Sequence, residues 1–495
     1  MNERKFAVII HATDEAACKD LVNSLETIRA PKNFEVQVLI QSGAKYAAYD
    51  SAMRASDAKY KIYLDERAVI TNKNFLAELL RIFEADKKVG AVGTSGAIEL
   101  STHGISLYSR KRAAKNYTCE AEVVDGFFFA TQYDLPWRHD LFDDNYFGGQ
   151  AQCVEFRRAG YKVFIGGGWI YYPEKNLQLD ETARNIFLDE YSADLFPLVN
   201  IFIPTFNRPK YFREALNSAL NQTYRNIEIV ISDDSTNDDT ENLIQSYLGD
   251  ARIKYFRNRG FTAKQNWDFL RGYNNPAAEY VNWLMDDDLF YPAKIEKMLE
   301  VYRNNPDISL VTSAKNIIDA DGKIVGNTKN LFVQDTKLSG DEAGKLLFLW
   351  DNYIGETTTV LIRKKFLRNN DLCWRGDEHE AFCLSDVSTW LQLLTQGNMF
   401  IFNECLSAFR IHSAQDGQST STVAMIPLDY VKLLNTAVER NVFFHNNKDL
   451  RQAIFFLLTK SLNALKKAAS ENYRGEEVKE LEKTFAELAQ SLSDV

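Results

Sequence analysis

Between Tyr280 and Pro292 the chain reads YVNWLMDDDLFYP, an apolar run that stops abruptly in three carboxylates, Asp286, Asp287 and Asp288. After Pro292 the apolar residues Ile295, Met298, Leu299 and Tyr302 recur at helical spacing. A buried strand followed by a covering helix belongs to an open α/β sheet, where ligands bind at the carboxyl ends of strands. Three adjacent carboxylates repel one another, and a dry crevice tolerates them only when a cation or several donors neutralise them. With no His or Cys pair nearby, hard oxygen donors suit magnesium or manganese rather than zinc. A solvated acidic turn opening a helix is the plainer alternative.

The same alternation of strand and helix runs along most of the chain, which predicts mainly parallel sheets. Phe6–Ile10, Val36–Ile40, Lys61–Leu64 and Val89–Val92 read as strands of a first half, with helices between them. Asn200–Pro204, Ile227–Ile231, Arg252–Phe256, Tyr280–Met285 and Ile308–Ala314 read as strands of a second. Laid side by side, the halves repeat, so the expected fold is two related α/β domains in tandem. They differ at the chemistry. Where one half has Asp233-Asp234, the other has Ser42-Gly43; where one has three aspartates, the other has Asp65-Glu66-Arg67. An arginine inside an acid cluster opposes a divalent cation. The boundaries drawn are 1–175 for the first domain, 176–196 for a linker helix, 197–418 for the second domain and 419–495 for a helical tail.

At 495 residues the chain exceeds what one core organises. A formal charge of −10 excludes a chain-wide basic footprint, so no nucleic-acid partner is expected. The six cysteines show no C-x-x-C pair, which suits buried thiols in a reducing compartment. The opening MNERKFAVIIHATDE reads as a strand, not a signal peptide, and no apolar stretch reaches the roughly 18 residues that span a bilayer. A cytoplasmic protein, or one peripheral at the inner face of the membrane, is expected. In the tail, Leu450, Ile454, Leu457, Leu458, Leu462 and Leu465 make one apolar face, and Val478, Leu481, Phe485, Leu488 and Leu492 another. Packing back onto the second domain is the plain expectation; a homodimer, or docking to a partner protein, is the alternative.

The second half resembles a family-2 glycosyltransferase with the GT-A fold. The pieces that carry the resemblance are IPTFNR (Ile203–Arg208), ISDDST (Ile231–Thr236), Asn258, Gly260 and Asn266, MDDDLFYP (Met285–Pro292), LSDVSTWLQL (Leu384–Leu393) and FRIH (Phe409–His412). They stand in family order over roughly 196–415, and together they are specific. The resemblance implies two tandem GT-A-like, Rossmann-like domains and an inverting, metal-dependent transfer of a sugar from a nucleotide-diphosphate donor, commonly a UDP-sugar, to a hydroxyl. The acceptor would be a glycan or glycoprotein, in surface-glycan synthesis or protein glycosylation.

On that resemblance, Pro204, Thr205, Phe206, Asn207, Arg208, Asp234, Asn266 and Asp286 are expected at the nucleotide, with Asp234 at the base. Asp287, Asp288 and His412 are expected at Mn2+ or Mg2+. Asp386 matches the base that takes the acceptor proton, where the family often writes Glu-Asp and this chain has Ser385-Asp386; a helix-start cap is its plainer reading. Thr357, Trp374 and Arg410 are placed at the acceptor or diphosphate, although Trp374 also suits a core. The first half is similar to a divergent branch of the same fold through VVDGFFFATQYDLPW (Val123–Trp137) and CVEFRRAGYKV (Cys153–Val163). That branch carries an Asp and a closing His where Gly149 and Tyr172 stand here, so this half is expected to be catalytically degenerate. The competing functions are a non-catalytic carbohydrate-binding scaffold, which leaves Asp234, the aspartate triplet and Asp386 unexplained together, and a sugar nucleotidyltransferase. The latter would show a glycine-rich loop after the first strand, and PTFNRPKYF is not one.

Overall fold

The computed structural model describes residues 2–31, 33–40, 43–98, 100, 118–143, 147–172, 180–328, 331–367, 383–412 and 419–494. They form two compact units, Met1–Phe196 and Pro197–Val495. Each is built on one mixed sheet. In the first unit the strand order is Asn33–Ile40, Asn2–Ala12, Ala58–Asp65, Phe128–Thr131, Val89–Gly93, Lys162–Ile165 and Cys119–Ala121. In the second the main path is Ile253–Arg257, Ile227–Asp233, Leu198–Thr205, Ala278–Trp283, Leu361–Arg363, Ile308–Ile318, Asn398–Arg410 and Leu289–Phe290.

The repeat seen in the sequence is therefore a repeat of topology. Starting from Asn33–Ile40 in one unit and Ile227–Asp233 in the other, six successive strands pair in the same senses: parallel, parallel, antiparallel, antiparallel, parallel. The antiparallel member in each is short, Phe128–Thr131 and Leu361–Arg363. The stretch VVDGFFFATQYDLPW opens with two separate strands, Val123–Val124 and Phe128–Thr131, the chain turning at Asp125–Phe127. Leu361–Arg363, at three residues, is too short to carry a periodicity.

The central strands are buried on both faces, which is why they read as continuous apolar runs. Ile201, Ile203, Val230, Ile231 and Val281 are almost wholly removed from water. Trp283 stacks on Trp267 with ring centroids 4.5 Å apart, fixing the helix Ala263–Gly272 against the sheet. That helix starts at a capping box, Thr262 with Gln265, which holds Asn266 in its first turn.

The helix expected as a linker is Glu181–Leu195, N-capped by Asp180, and it is docked on the first unit. Arg158 reaches Glu190 and Asp194, Tyr191 donates to Glu155, and Phe187 packs on Phe147. The tail forms three helices, Thr420–Glu439, Asn447–Ser470 and Glu476–Asp494. Tyr430, Leu433, Ile454, Leu457 and Leu488 join the core of the second unit. Leu462, expected on the inward face, points outward at 42 % exposure, because Ser461 and Ala464 take the close-packed positions beside it. Among the described residues no helix is long and apolar enough to cross a membrane.

Candidate active site

The strand Leu198–Thr205 delivers its last residues to a turn, Phe206-Asn207-Arg208, that feeds the helix Pro209–Leu220. Asn207 takes a left-handed backbone (φ 51°), which asparagine tolerates. Its side chain ties the turn to the neighbouring strand end, accepting from the Thr236 amide at 2.9 Å. Asn207 is thus a brace, and Phe206 and Arg208 face a cleft of about 780 Å³. Pro204, Thr205, Asp234, Asn266, Asp286 and Asp287 line the same cleft. The expected nucleotide residues, Asn207 apart, converge there.

At one end, Asn266 Nδ2 donates to Asp234 Oδ1 at 2.8 Å and to the Ser232 carbonyl at 3.1 Å. The Ser232 hydroxyl donates to Asn266 Oδ1 and accepts from Asn258 Nδ2. Asp234 is buried, and burial raises its pKa, with Asp233 adding to the rise and Arg257 opposing it. Asp233 is committed elsewhere: Tyr255, the Ser235 amide and Arg257 take up its carboxylate. A polar edge of one acid and one amide, flanked by Phe261 and Trp267, suits a flat heterocycle.

At the other end the three aspartates part company. Asp286 Oδ2 accepts from the Thr205 hydroxyl at 3.0 Å and the Phe206 amide at 3.3 Å. Its Oδ1 accepts from Arg208 Nη1 at 3.3 Å, and burial together with Asp287 pushes its pKa up to about 6. Asp287 Oδ2 accepts from Arg208 at 3.2 Å and faces His412 Nε2 at 3.0 Å. Asp288 turns the opposite way, 1 % exposed, with Oδ2 accepting from the Thr358 hydroxyl at 2.6 Å and Oδ1 from the Arg410 amide at 3.1 Å. The expectation of Asp288 as a metal ligand is corrected: both its oxygens serve the protein's own donors.

Arg410 is corrected for a similar reason. Its fully buried guanidinium donates to the Asp287 carbonyl (2.7 Å), to Glu214 (2.5 Å) and to the carbonyls of Asp319 and Ala320, so it shapes the turn instead of meeting a diphosphate. Thr357 is half-buried, its carbonyl accepting from Asn282; its neighbour Thr358 makes the contact that matters. Trp374 lies outside the described residues.

Asp386 opens the helix Ser385–Leu394. Its Oδ2 accepts from Asn352 Nδ2 at 2.7 Å and its Oδ1 from the Val387 amide at 2.7 Å. Desolvation, with Glu356 close by, pushes its pKa up to about 6, a value suited to a proton acceptor near neutrality. Asn352, 34 residues away in the chain, carries no sequence signal; nor does Phe261, which also lines the cleft, whereas Phe409 and Ile411, also in its lining, lie within the FRIH stretch.

Among the described residues no group of three or more His, Cys, Asp or Glu is arranged to hold a metal. Asp287 and His412, in contact, make a smaller donor set that fits manganese or magnesium, which take one or two protein ligands and complete their shell with phosphate oxygens and water. Arg208 reaches both Asp286 and Asp287 and neutralises part of their charge. An arginine beside the acids is thus common to both units, and what differs is its setting. In the first unit Arg67 grips Asp65 with Nε at 2.9 Å and Nη2 at 3.2 Å, Lys45 approaches the same carboxylate at 3.6 Å, and Tyr172 donates to it at 3.3 Å. Tyr172 stacks on Phe127, and Arg67 lies over its ring. Burial would raise the pKa of Asp65, but Arg67 and Lys45 outweigh it and hold the carboxyl below its usual range. Glu66 accepts from the Thr13 amide and hydroxyl. These acids are consumed internally. Under the activity that the resemblance implies, Asp65→Asn is expected to leave turnover within about twofold of the parent, measured on protein of unchanged circular dichroism; a large loss would place catalysis in the first unit as well.

Residues 7–191 match a family described as glycosyltransferase like family, and residues 200–369 match glycosyl transferase family 2. An uncharacterised glycosyltransferase of Rickettsia typhi is 33 % identical over 44 % of this chain and 65 % of its own length. The Campylobacter jejuni protein named GalNAc(5)-diNAcBac-PP-undecaprenol beta-1,3-glucosyltransferase is 27 % identical over 44 % of the chain and 64 % of its own. Among the first relatives the aligned part spans between 32 % and 65 % of their length. Of solved structures, Staphylococcus aureus TarS 1–349 in complex with UDP-GlcNAc superposes with a TM-score of 0.43 at 14 % identity, over 59 % of this chain and 81 % of that one. The repeated sheets and the two tandem matches agree: the chain holds two glycosyltransferase-type domains in succession, the second matching glycosyl transferase family 2.

Proposed function

We propose that the second unit is an inverting glycosyltransferase that moves a sugar from a uridine-diphosphate donor to a hydroxyl acceptor. The observation that carries this reading is the convergence in one cleft of Asp234 with Asn266 at one end and Asp286, Asp287 and Arg208 at the other, with His412 in contact with Asp287. The first end would take the base by its polar edge, with Phe206 and Phe261 against its faces. The second would take ribose and diphosphate, Arg208 exchanging its carboxylate partners for phosphate oxygens. Asp287 and His412 would hold a divalent cation, which when bound neutralises charge gathering on the leaving diphosphate. The acceptor oxygen bonds to the anomeric carbon as the bond from that carbon to the diphosphate breaks, and Asp386 receives the hydroxyl proton. The Campylobacter relative, named for glucosyl transfer, supports the reaction class. On this reading the first unit is a non-catalytic companion.

A thermal-shift series of uridine, guanosine and adenosine diphosphates, each with and without manganese, tests the reading. Ligand at a hundredfold over its dissociation constant adds about 2.7 kcal/mol of stability, a rise of a few degrees. UDP with manganese is expected to give that rise. A rise with another nucleotide alone would overturn the uridine assignment, and none with any of them would overturn the function.

A further inference from the structure

The helical tail reaches the surroundings of Asp386 from two sides. Two consecutive residues of the helix Thr420–Glu439 make most of the contact. Asp429, 2 % exposed, accepts from the Cys383 amide at 2.7 Å and so holds the lead-in to the helix that Asp386 opens. The Tyr430 hydroxyl donates to Asp351 Oδ1 at 2.9 Å, next in the chain to Asn352, which donates to Asp386. Lys460, from the following helix, donates to Asp351 Oδ2 at 2.6 Å and lies over the Tyr430 ring.

Asp351 is held in a conformation it would not adopt freely. Its backbone (φ 68°, ψ −166°) lies in a region that is essentially glycine's, and such strain persists only where surrounding contacts impose it. Asp351 ends the helix Gly340–Trp350, so its backbone sets the direction in which Asn352 leaves that helix. Asn352 in turn is fixed by its own bonds. Its Oδ1 accepts from the Gly355 amide at 3.2 Å, which leaves Nδ2 to face Asp386 Oδ2 at 2.7 Å. The Gly355 carbonyl accepts from Trp390, on the same helix as Asp386. An apolar cover for the core needs none of these polar ties. The match to glycosyl transferase family 2 ends at residue 369, so the tail residues that make them lie outside it.

We propose that Asp429, Tyr430 and Lys460 are positioning residues for sugar transfer: by fixing Cys383 and Asp351 they set Asn352 against Asp386, and so aim the carboxylate at the acceptor hydroxyl. The tail is then a working part of the site. The proposal rests on the glycosyltransferase reading and extends it to a segment beyond the matched domain.

The test uses the full chain with manganese and follows release of UDP from UDP-glucose and from UDP-N-acetylglucosamine, water serving as acceptor. Tyr430→Phe and Lys460→Met, which keep the ring and the stem, are each expected to lower kcat about tenfold. KM, and UDP affinity by calorimetry, should stay within about twofold, and Lys460→Arg should recover most of the loss. A loosened Asn352 takes a donor away from the ionised carboxylate, so the acid limb of kcat should move up by about half a pH unit. A protein that is only less folded would lose amplitude without moving that limb. Asp351→Ala and Asp351→Gly both remove the carboxylate, but glycine adopts this backbone without strain, so its kcat should exceed alanine's about fivefold. Hydrogen exchange needs no turnover: in Tyr430→Phe and Lys460→Met it should rise across 351–359 and 383–390 and stay unchanged across 198–205. Unchanged kcat, a loss with the limb unmoved, glycine no better than alanine, or unchanged exchange beside Asp386 would each overturn the proposal while UDP still binds. If the parent binds no UDP, it is the glycosyltransferase reading that falls, and the proposal with it.

Discussion

Replacing Asp287 with alanine is expected to cut sugar transfer by about 10²–10³-fold while the protein stays folded. Its carboxylate meets Arg208 and His412 and lines the cleft, but the structural work of this turn is done by its backbone carbonyl, which accepts from Arg410 and survives the change. UDP affinity in manganese should fall with turnover, whereas the melting temperature without ligand should hold. Asp288→Ala is the informative contrast, because its neighbour faces the other way. Without that carboxylate the Thr358 hydroxyl and the Arg410 amide are left buried with no acceptor, at about 1–3 kcal/mol each. Asp288→Ala should therefore lose stability first, and activity only as a consequence. Equal activity losses at equal stability would refute the division between the two aspartates.

Asp386→Asn is expected to lower kcat by about 10²–10⁴-fold and to change the pH profile along with the rate. With its pKa pushed up to about 6, Asp386 is protonated and idle at pH 5 and ionised at pH 7. The parent's kcat should then climb about tenfold per unit below pH 6 and level off above it, and the Asn variant should lose that limb. Stability moves the other way. A carboxyl held above its ordinary 3.8 binds its proton more tightly folded than unfolded, so its contribution declines as pH rises from about 4 through 6. At pH 8 the Asn variant should melt no lower than the parent. An inactive variant that also melts well below the parent would point to a helix-start cap, the plainer role.

Much of this was legible in the residues. Runs such as Ile227–Ile231 and Tyr280–Met285 are apolar because their strands are covered on both faces, and the acids that end them are where a sheet presents its site. The duplication was legible for the same reason. What the sequence withheld is direction. Asp286, Asp287 and Asp288 are chemically identical and adjacent, and only the turn decides that the third faces Thr358 instead of the cleft. Arg410 and His412 are two apart on a strand ending, and burial made one a strut and left the other beside Asp287. The Asn352 contact with Asp386 is made by tertiary packing alone, so no spacing announces it. The interrupting arginine in Asp65-Glu66-Arg67 was a fair sign of a spent site, yet Arg208 brings a similar charge to the other acids from the turn after a different strand.

The two sheets also end differently at their outer rims. In the second unit the strand Ile253–Arg257 extends the sheet beyond Ile227–Asp233, and its Arg257 and Tyr255 clasp Asp233. The first unit has no such extension among the described residues, and Asn33–Ile40 closes it, with Val36, Val38 and Ile40 all turned toward water. An oily, hydrogen-bond-hungry ribbon of this kind invites another strand to add itself. Severed from its companion for study, the amino-terminal half would carry that stickiness with it, and a lysine at Val38 is the place to blunt it.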